Sequence, residues 1–166
     1  MPCDAAELSI LMKEFEVTKV PHILLVEDNP GDILLVKESF RGISTPYQLS
    51  IAKDGQQALE FMASTLTNPA FSKPDLILLD LNLPKIGGHE VLAQLKSRVE
   101  FRHIPVVILS TSDAPADIAK SYALSANCYL CKPAGLDEFF HLMRTLLEFW
   151  LKLARFTRGE AAVSVC

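Results

Sequence analysis

Residues 75–84 read Asp-Leu-Ile-Leu-Leu-Asp-Leu-Asn-Leu-Pro. Four consecutive apolar side chains, Leu76 to Leu79, end at a carboxylate, Asp80. A run without alternation presents no polar face to water, so it predicts a strand buried on both sides, as in parallel sheets. Two further runs share this character: Ile-Leu-Leu-Val at 23–26 and Val-Val-Ile-Leu at 106–109. Five runs in all read as strands: His22–Val26, Tyr47–Ala52, Asp75–Leu79, Pro105–Leu109 and Asn127–Cys131.

Segments with helical spacing separate them. Asp32–Phe40 carries Ile33, Val36 and Phe40, and Asp54–Leu66 places Ala58, Leu59, Phe61, Met62 and Leu66 on one side. Gly88–Val99 brings Val91, Leu92 and Leu95 together; Ala116–Ser125 is the least periodic, and Leu136–Phe156 the longest. Strand and helix thus alternate five times, which implies a parallel sheet with right-handed crossovers. The expected fold is α/β: a flavodoxin-like (βα)5 doubly wound sheet, five parallel strands in the order 2-1-3-4-5 with helices on both faces. Residues 21–154 form this one domain, with 1–20 an N-terminal extension and 155–166 a C-terminal tail, each too short to fold alone.

Bulk composition agrees and excludes several classes. Apolar residues make up 49% of the 166, enough for an ordinary core, and the formal charge is −4 with signs interspersed. No basic patch offers a phosphate-backbone footprint, so nucleic acid is not an expected partner. The N-terminal apolar residues are broken by Asp4, Glu7, Lys13 and Glu14, which fits neither a signal peptide nor a membrane span. A cytoplasmic protein is expected. The cysteines, at 3, 128, 131 and 166, form no paired framework of a secreted mini-domain. Cys128-Tyr-Leu-Cys131 is a C-x-x-C, but three steps along a strand put the two thiols on opposite faces, and no other zinc ligands cluster. The histidines at 22, 89, 103 and 141 are scattered and read as surface or satisfied polar groups.

In an open α/β sheet, ligands bind beyond the carboxyl ends of the strands. Glu27 and Asp28 follow the first strand, Asp80 the third, Ser110, Thr111 and Ser112 the fourth, and Lys132 and Pro133 the fifth. If the first, third and fourth strands are neighbours, three carboxylates converge. Two carboxylates about 4 Å apart repel by roughly 4 kcal/mol at an effective dielectric near 20. Counter-charge must come from Lys132 and a divalent cation, and an oxygen-only donor set with room for water favours Mg²⁺. A carboxylate in such a site can attack phosphorus to give an acyl phosphate, with metal and ammonium offsetting charge on the transferring oxygens. Asp80 stands alone at its strand end and is the better nucleophile; Glu27 and Asp28 are better suited to hold the cation.

Four segments, Ile-Leu-Leu-Val-Glu-Asp-Asn-Pro, Asp-Leu-Ile-Leu-Leu-Asp-Leu-Asn-Leu-Pro, Ile-Pro-Val-Val-Ile-Leu-Ser-Thr-Ser and Cys-Tyr-Leu-Cys-Lys-Pro, resemble the response-regulator receiver family in order and spacing, over roughly residues 21 to 150. The resemblance implies that Asp80 is the phosphoacceptor and that Glu27, Asp28, Asp80 and the Asn82 carbonyl bind the metal. It implies Ser110 as the switch hydroxyl, Tyr129 as the aromatic that follows the switch, and Lys132 as the partner of the phosphoryl group, with a cis Lys132–Pro133 bond. Position 27 is Glu where many members have Asp, Ser110 replaces the commoner Thr, and Gly87 precedes Gly88 where Asp or Asn is more usual. The segments Asn-Pro-Gly-Asp (29–32), Leu-Asn-Leu-Pro-Lys (81–85), Ser-Tyr-Ala-Leu-Ser-Ala-Asn-Cys-Tyr-Leu (121–130) and Glu-Phe-Trp-Leu (148–151) are similar to the small response regulators of cyanobacterial and bacterial phytochromes. That implies a phytochrome-type sensor histidine kinase as phosphodonor, and a phosphoacceptor rather than an enzyme with turnover.

Three other readings share parts of the pattern. A flavodoxin-like electron carrier needs a Ser/Thr/Gly-rich phosphate cradle after the first strand, where this chain has Glu-Asp-Asn-Pro-Gly-Asp. A phosphatase of the haloacid-dehalogenase kind needs Asp-x-Asp, where this chain has Asp80-Leu-Asn82. A pseudo-receiver loses the acidic pair, the acceptor or the lysine, all present here. In the last helix Leu136, Phe139, Phe140, Met143, Leu146, Leu147 and Trp150 follow core spacing, and Leu142, Phe149 and Leu153 add a second apolar strip. The expected use of that strip is a homodimer through the fourth helix, fifth strand and last helix. The alternative is cover by Leu8–Val17.

Overall fold

The computed structural model describes residues 20–156. Leu8–Val17, the extension before residue 20 and the tail after residue 156 lie outside the described residues. The strands are β1 (His22–Val26), β2 (Gln48–Ala52), β3 (Leu76–Leu79), β4 (Val106–Ser110) and β5 (Cys128–Cys131). The helices are α1 (Pro30–Phe40), α2 (Gly55–Thr67), α3 (Gly88–Ser97), α4 (Pro115–Ala123) and α5 (Leu136–Glu148). All strand pairs are parallel and the order is β2-β1-β3-β4-β5, as expected.

Period-two alternation divides each central strand between two cores. Leu24, Val26, Ile77, Leu79, Val106 and Ile108 pack with Ala58, Met62, Val91, Leu92 and Leu95 from α2 and α3. Ile23, Leu25, Leu76, Leu78, Val107 and Leu109 pack with Ile33, Val36 and Phe40 of α1 and Phe139, Met143 and Leu147 of α5. That two-sided burial is why these runs are continuous in sequence; each fully buried Leu or Ile contributes roughly 1.5–3 kcal/mol. Helix α4 buries only Ser121, so little of it enters either core.

Local chemistry sets the helix starts nearest the site. The Asn29 side chain caps α1, accepting from the amides of Gly31 (2.8 Å) and Asp32 (3.2 Å), with Pro30 in the first turn. Asp54 caps α2 through the Gln57 amide at 2.7 Å. Gly88 opens α3 against the backbone of β3: a Cβ there would lie 2.2 Å from the Asp80 carbonyl oxygen and 2.6 Å from Leu81 Cα.

The final helix departs from expectation. Its α-helical hydrogen bonding ends at Glu148, and a π-helical turn, Phe149–Leu153, closes on a bond from the Ala154 amide to the Phe149 carbonyl (2.8 Å). The wider turn lets the adjacent Trp150 and Leu151 both reach the α1–α5 core, and Phe156 stacks on Trp150 with ring planes 11° apart. Leu136, assigned to the core by its spacing, is 54% exposed: it opens the helix, and the buried face begins only at Phe139. Cys128 packs toward that same core while Cys131 is exposed, and both are free thiols. Among the described residues no helix is long and apolar enough to cross a membrane.

Candidate functional site

Ladder hydrogen bonding continues one residue past three strand ends. Glu27 N–H donates to the Ala52 carbonyl (3.0 Å), Asp80 N–H to the Val26 carbonyl (3.0 Å) and Lys132 N–H to the Ser110 carbonyl (2.7 Å). The backbones of all three charged residues are therefore fixed by neighbouring strands, and their side chains emerge together at the carboxyl edge of the sheet. One oxygen from each of Glu27, Asp28 and Asp80 lies within 4.8 Å of the others. Glu27 and Asp80 are buried and Asp28 is exposed, so the cluster opens to solvent on one side.

The Lys132 ammonium sits among these groups, its side chain 5% exposed. It donates to Glu27 Oε2 (2.5 Å), Asp32 Oδ2 (2.8 Å) and Asp80 Oδ2 (2.9 Å). Burial works against its charge, but the bonds to Asp32, Asp80 and Glu27 outweigh burial and hold its pKa above the ordinary lysine value. Burial also pushes the Glu27 carboxyl up, opposed by Lys132. The remaining oxygens are engaged too: Asn29 N–H donates to Glu27 Oε1 (3.0 Å) and Asn82 N–H to Asp80 Oδ1 (3.1 Å).

Ser110 is fully buried, and its Oγ accepts from the Ser112 amide at 3.2 Å. The half-buried Tyr129 hydroxyl donates to the Ser112 carbonyl at 2.8 Å. Ser112 thereby joins the two residues expected to switch. The expected Lys132–Pro133 cis bond is not found: the bond is trans, the isomer an X–Pro amide favours by roughly 0.5–1 kcal/mol, and Lys132 reaches its partners regardless.

Of the residues singled out from sequence, Glu27, Asp28, Asp80, Asn82 and Lys132 meet at this edge, Ser110 ends β4 on the same edge, and Tyr129, inside β5, is tied to it through Ser112. Sequence reasoning missed two neighbours. Asp32 enters from the first turn of α1, and its signal was its place three residues after a capping Asn at the end of β1. Asp54, two residues past β2 and the cap of α2, is buried and binds Lys85 of the β3–α3 loop at 2.8 Å. That pair, with the Gln57 amide, holds the Asp54 carboxyl below the usual range.

A parallel sheet with an acidic cluster, a buried lysine and a buried hydroxyl at its carboxyl edge defines the receiver class of signalling domain. The chain belongs to that family: residues 23–144 match the response regulator receiver domain. Among its relatives is the response regulator Rcp1 of Synechocystis sp., 42% identical over 130 residues that cover 78% of this chain and 88% of Rcp1. The crystal structure of the phosphorylated cyanobacterial phytochrome response regulator RcpA superposes with a TM-score of 0.79 at 42% identity, covering 84% of this chain and 99% of RcpA. The Mn²⁺-bound form of Rcp1 also gives 0.79, at 39% identity, over 83% of this chain and 99% of that one. The chain is thus a response-regulator receiver related to phytochrome response regulators. Three carboxylates with all-oxygen donors fit the Mg²⁺ or Mn²⁺ that receivers bind at this pocket.

Proposed function

We propose that the chain accepts a phosphoryl group on Asp80 from the phosphohistidine of a sensor kinase, of phytochrome type. The observation that carries this reading is the Lys132 ammonium on Asp80 Oδ2, beside Glu27 and Asp28, at the open edge of the sheet. An Asp80 carboxylate oxygen attacks phosphorus, the P–N bond to the donor imidazole breaks, and the imidazole leaves with the bonding pair. Glu27, Asp28, Asp80 and the Asn82 carbonyl would hold Mg²⁺, which supplies charge stabilisation for the phosphoryl oxygens. Lys132 offsets charge on the same group. The Ser110 hydroxyl then leaves the Ser112 amide for a phosphoryl oxygen, and Tyr129, bonded to the Ser112 carbonyl, follows.

Output passes through the face made by α4, β5 and α5, to a partner or a second copy. Tyr122, Leu136, Phe149 and Leu153 are exposed on or beside it. An open groove of about 680 Å³, lined by Cys131, Pro133, Glu138, His141 and Leu142 among others, runs along it. The test is intact mass after incubation with acetyl phosphate, with Mg²⁺ or with chelator, for wild type and Asp80→Asn. A gain of one phosphoryl group that needs Mg²⁺ and Asp80 is expected. Equal labelling of Asp80→Asn defeats the assignment. Faster labelling by a phytochrome-type kinase than by an unrelated one tests the donor.

A further inference from the structure

We propose that Asp32 is a positioning residue: it takes the charge of Lys132 when a divalent cation takes Glu27 and Asp80. This rests on the reading of Glu27, Asp28 and Asp80 as the cation-binding set. An ammonium has three N–H donors, and here three carboxylates from three elements occupy them. Two of the three, Glu27 and Asp80, belong to the cation set, and their other oxygens already accept backbone amides. A cation held by Glu27 and Asp80 therefore draws on the charge of the same two carboxylates that pair with the lysine, and weakens those ion pairs.

A lysine only 5% exposed cannot turn to water when those bonds weaken, and an unpaired buried charge is costly. Asp32 lies outside the cation set, is itself partly exposed, and is held by the cap of α1, its N–H bonded to Asn29 Oδ1. It gives the ammonium a partner that cation binding does not remove. With Asp32 in place, Glu27 and Asp80 are released at little cost; without it, their release strands the lysine. Asp32 thus raises cation affinity through Lys132 without touching the cation.

The experiment is calorimetric titration of MgCl2 into the full chain as wild type, Asp32→Asn and Asp32→Glu. The expected result is about a tenfold weaker Kd in Asp32→Asn, the lower end of what loss of a ligand-orienting partner costs, and near-wild-type affinity in Asp32→Glu. In a Lys132→Met background the Asp32→Asn effect is expected to vanish, because the residue acts through the lysine. Acetyl phosphate labelling of Asp32→Asn is expected to slow at low Mg²⁺ and recover at saturation. An unchanged Kd in Asp32→Asn overturns the inference, and so does a tenfold loss that persists in the Lys132→Met background. A wild type that binds Mg²⁺ yet takes no label removes the phosphoacceptor reading but leaves the affinity comparison standing.

Discussion

Lys132 is the residue on which the local electrostatics turn. Replacing it by Met leaves Glu27, Asp32 and Asp80 without their shared cation, and removing one partner of a buried ion pair costs about 3 kcal/mol or more. Lys132→Met is therefore expected to melt well below wild type in chelator, and Mg²⁺ to raise its Tm by more than it raises that of wild type. An equal Mg²⁺ response in both proteins would show that ammonium and cation do not share carboxylates. Ser125 carries strain of another kind. It follows the α4 C-cap with φ 67°, a left-handed conformation natural to glycine. Ser125→Gly is expected to raise the urea midpoint, by about 1 kcal/mol in stability. Asp54 sets a pH dependence. Because its folded pKa lies below the ordinary 3.8, its contribution is complete above that value and is lost as pH falls through the lower folded one. The stability gap between wild type and Asp54→Asn should therefore narrow from pH 5 to pH 3.

At the scale of elements, two adjacent glycines make opposite demands. Gly87 caps α3 with no side chain, has φ −68°, and an added Cβ there meets nothing. Gly87→Asn is expected to be neutral or stabilising by a few tenths of a kcal/mol. Gly88→Ala forces a methyl into the Asp80 carbonyl, so a loss of roughly 1–3 kcal/mol and slower labelling are expected together. Comparing the two variants by urea melt and by intact mass checks both. The elements themselves were legible wherever burial was two-sided: β1, β3 and β4 needed no alternation, only Leu, Ile and Val in continuous runs. Helix α4 offered less to read because it is only nine residues long and buries a single serine. The π turn after α5 left no trace, since its i→i+5 bonding answers to tertiary packing around Trp150. Asp32 and Asp54 were missed for a related reason. Each belongs to a helix start rather than a strand run, and only the assembled sheet edge gives it a partner.

Over the whole molecule, the order β2-β1-β3-β4-β5 puts β1 and β3 at the centre and β5 at an edge. The acidic cluster thus sits on the most buried strands, while Lys132 comes from the strand beside the exposed apolar face. Hydrogen bonds from the Ser112 amide to Ser110 Oγ and from the Tyr129 hydroxyl to the Ser112 carbonyl join the end of β4 to that face, where helix α4 buries only Ser121; on the proposed reading a change at Asp80 would be passed along them. If that face joins two copies, sedimentation of the phosphorylated full chain should give twice the monomer mass; one chain's mass with and without phosphate would exclude it.

The three ion pairs of Lys132 have one more consequence. The lysine lies 105 residues beyond Glu27 and 52 beyond Asp80. A ribosome delivers Glu27, Asp28 and Asp80 long before the ammonium that pairs with this cluster, so a nascent chain that has not finished β5 carries an incomplete cluster. On the proposed reading this order of synthesis is a form of quality control: a fragment truncated before Lys132 would lack the charge proposed to assist the transfer, and competence to receive a signal would arrive with the closing strand.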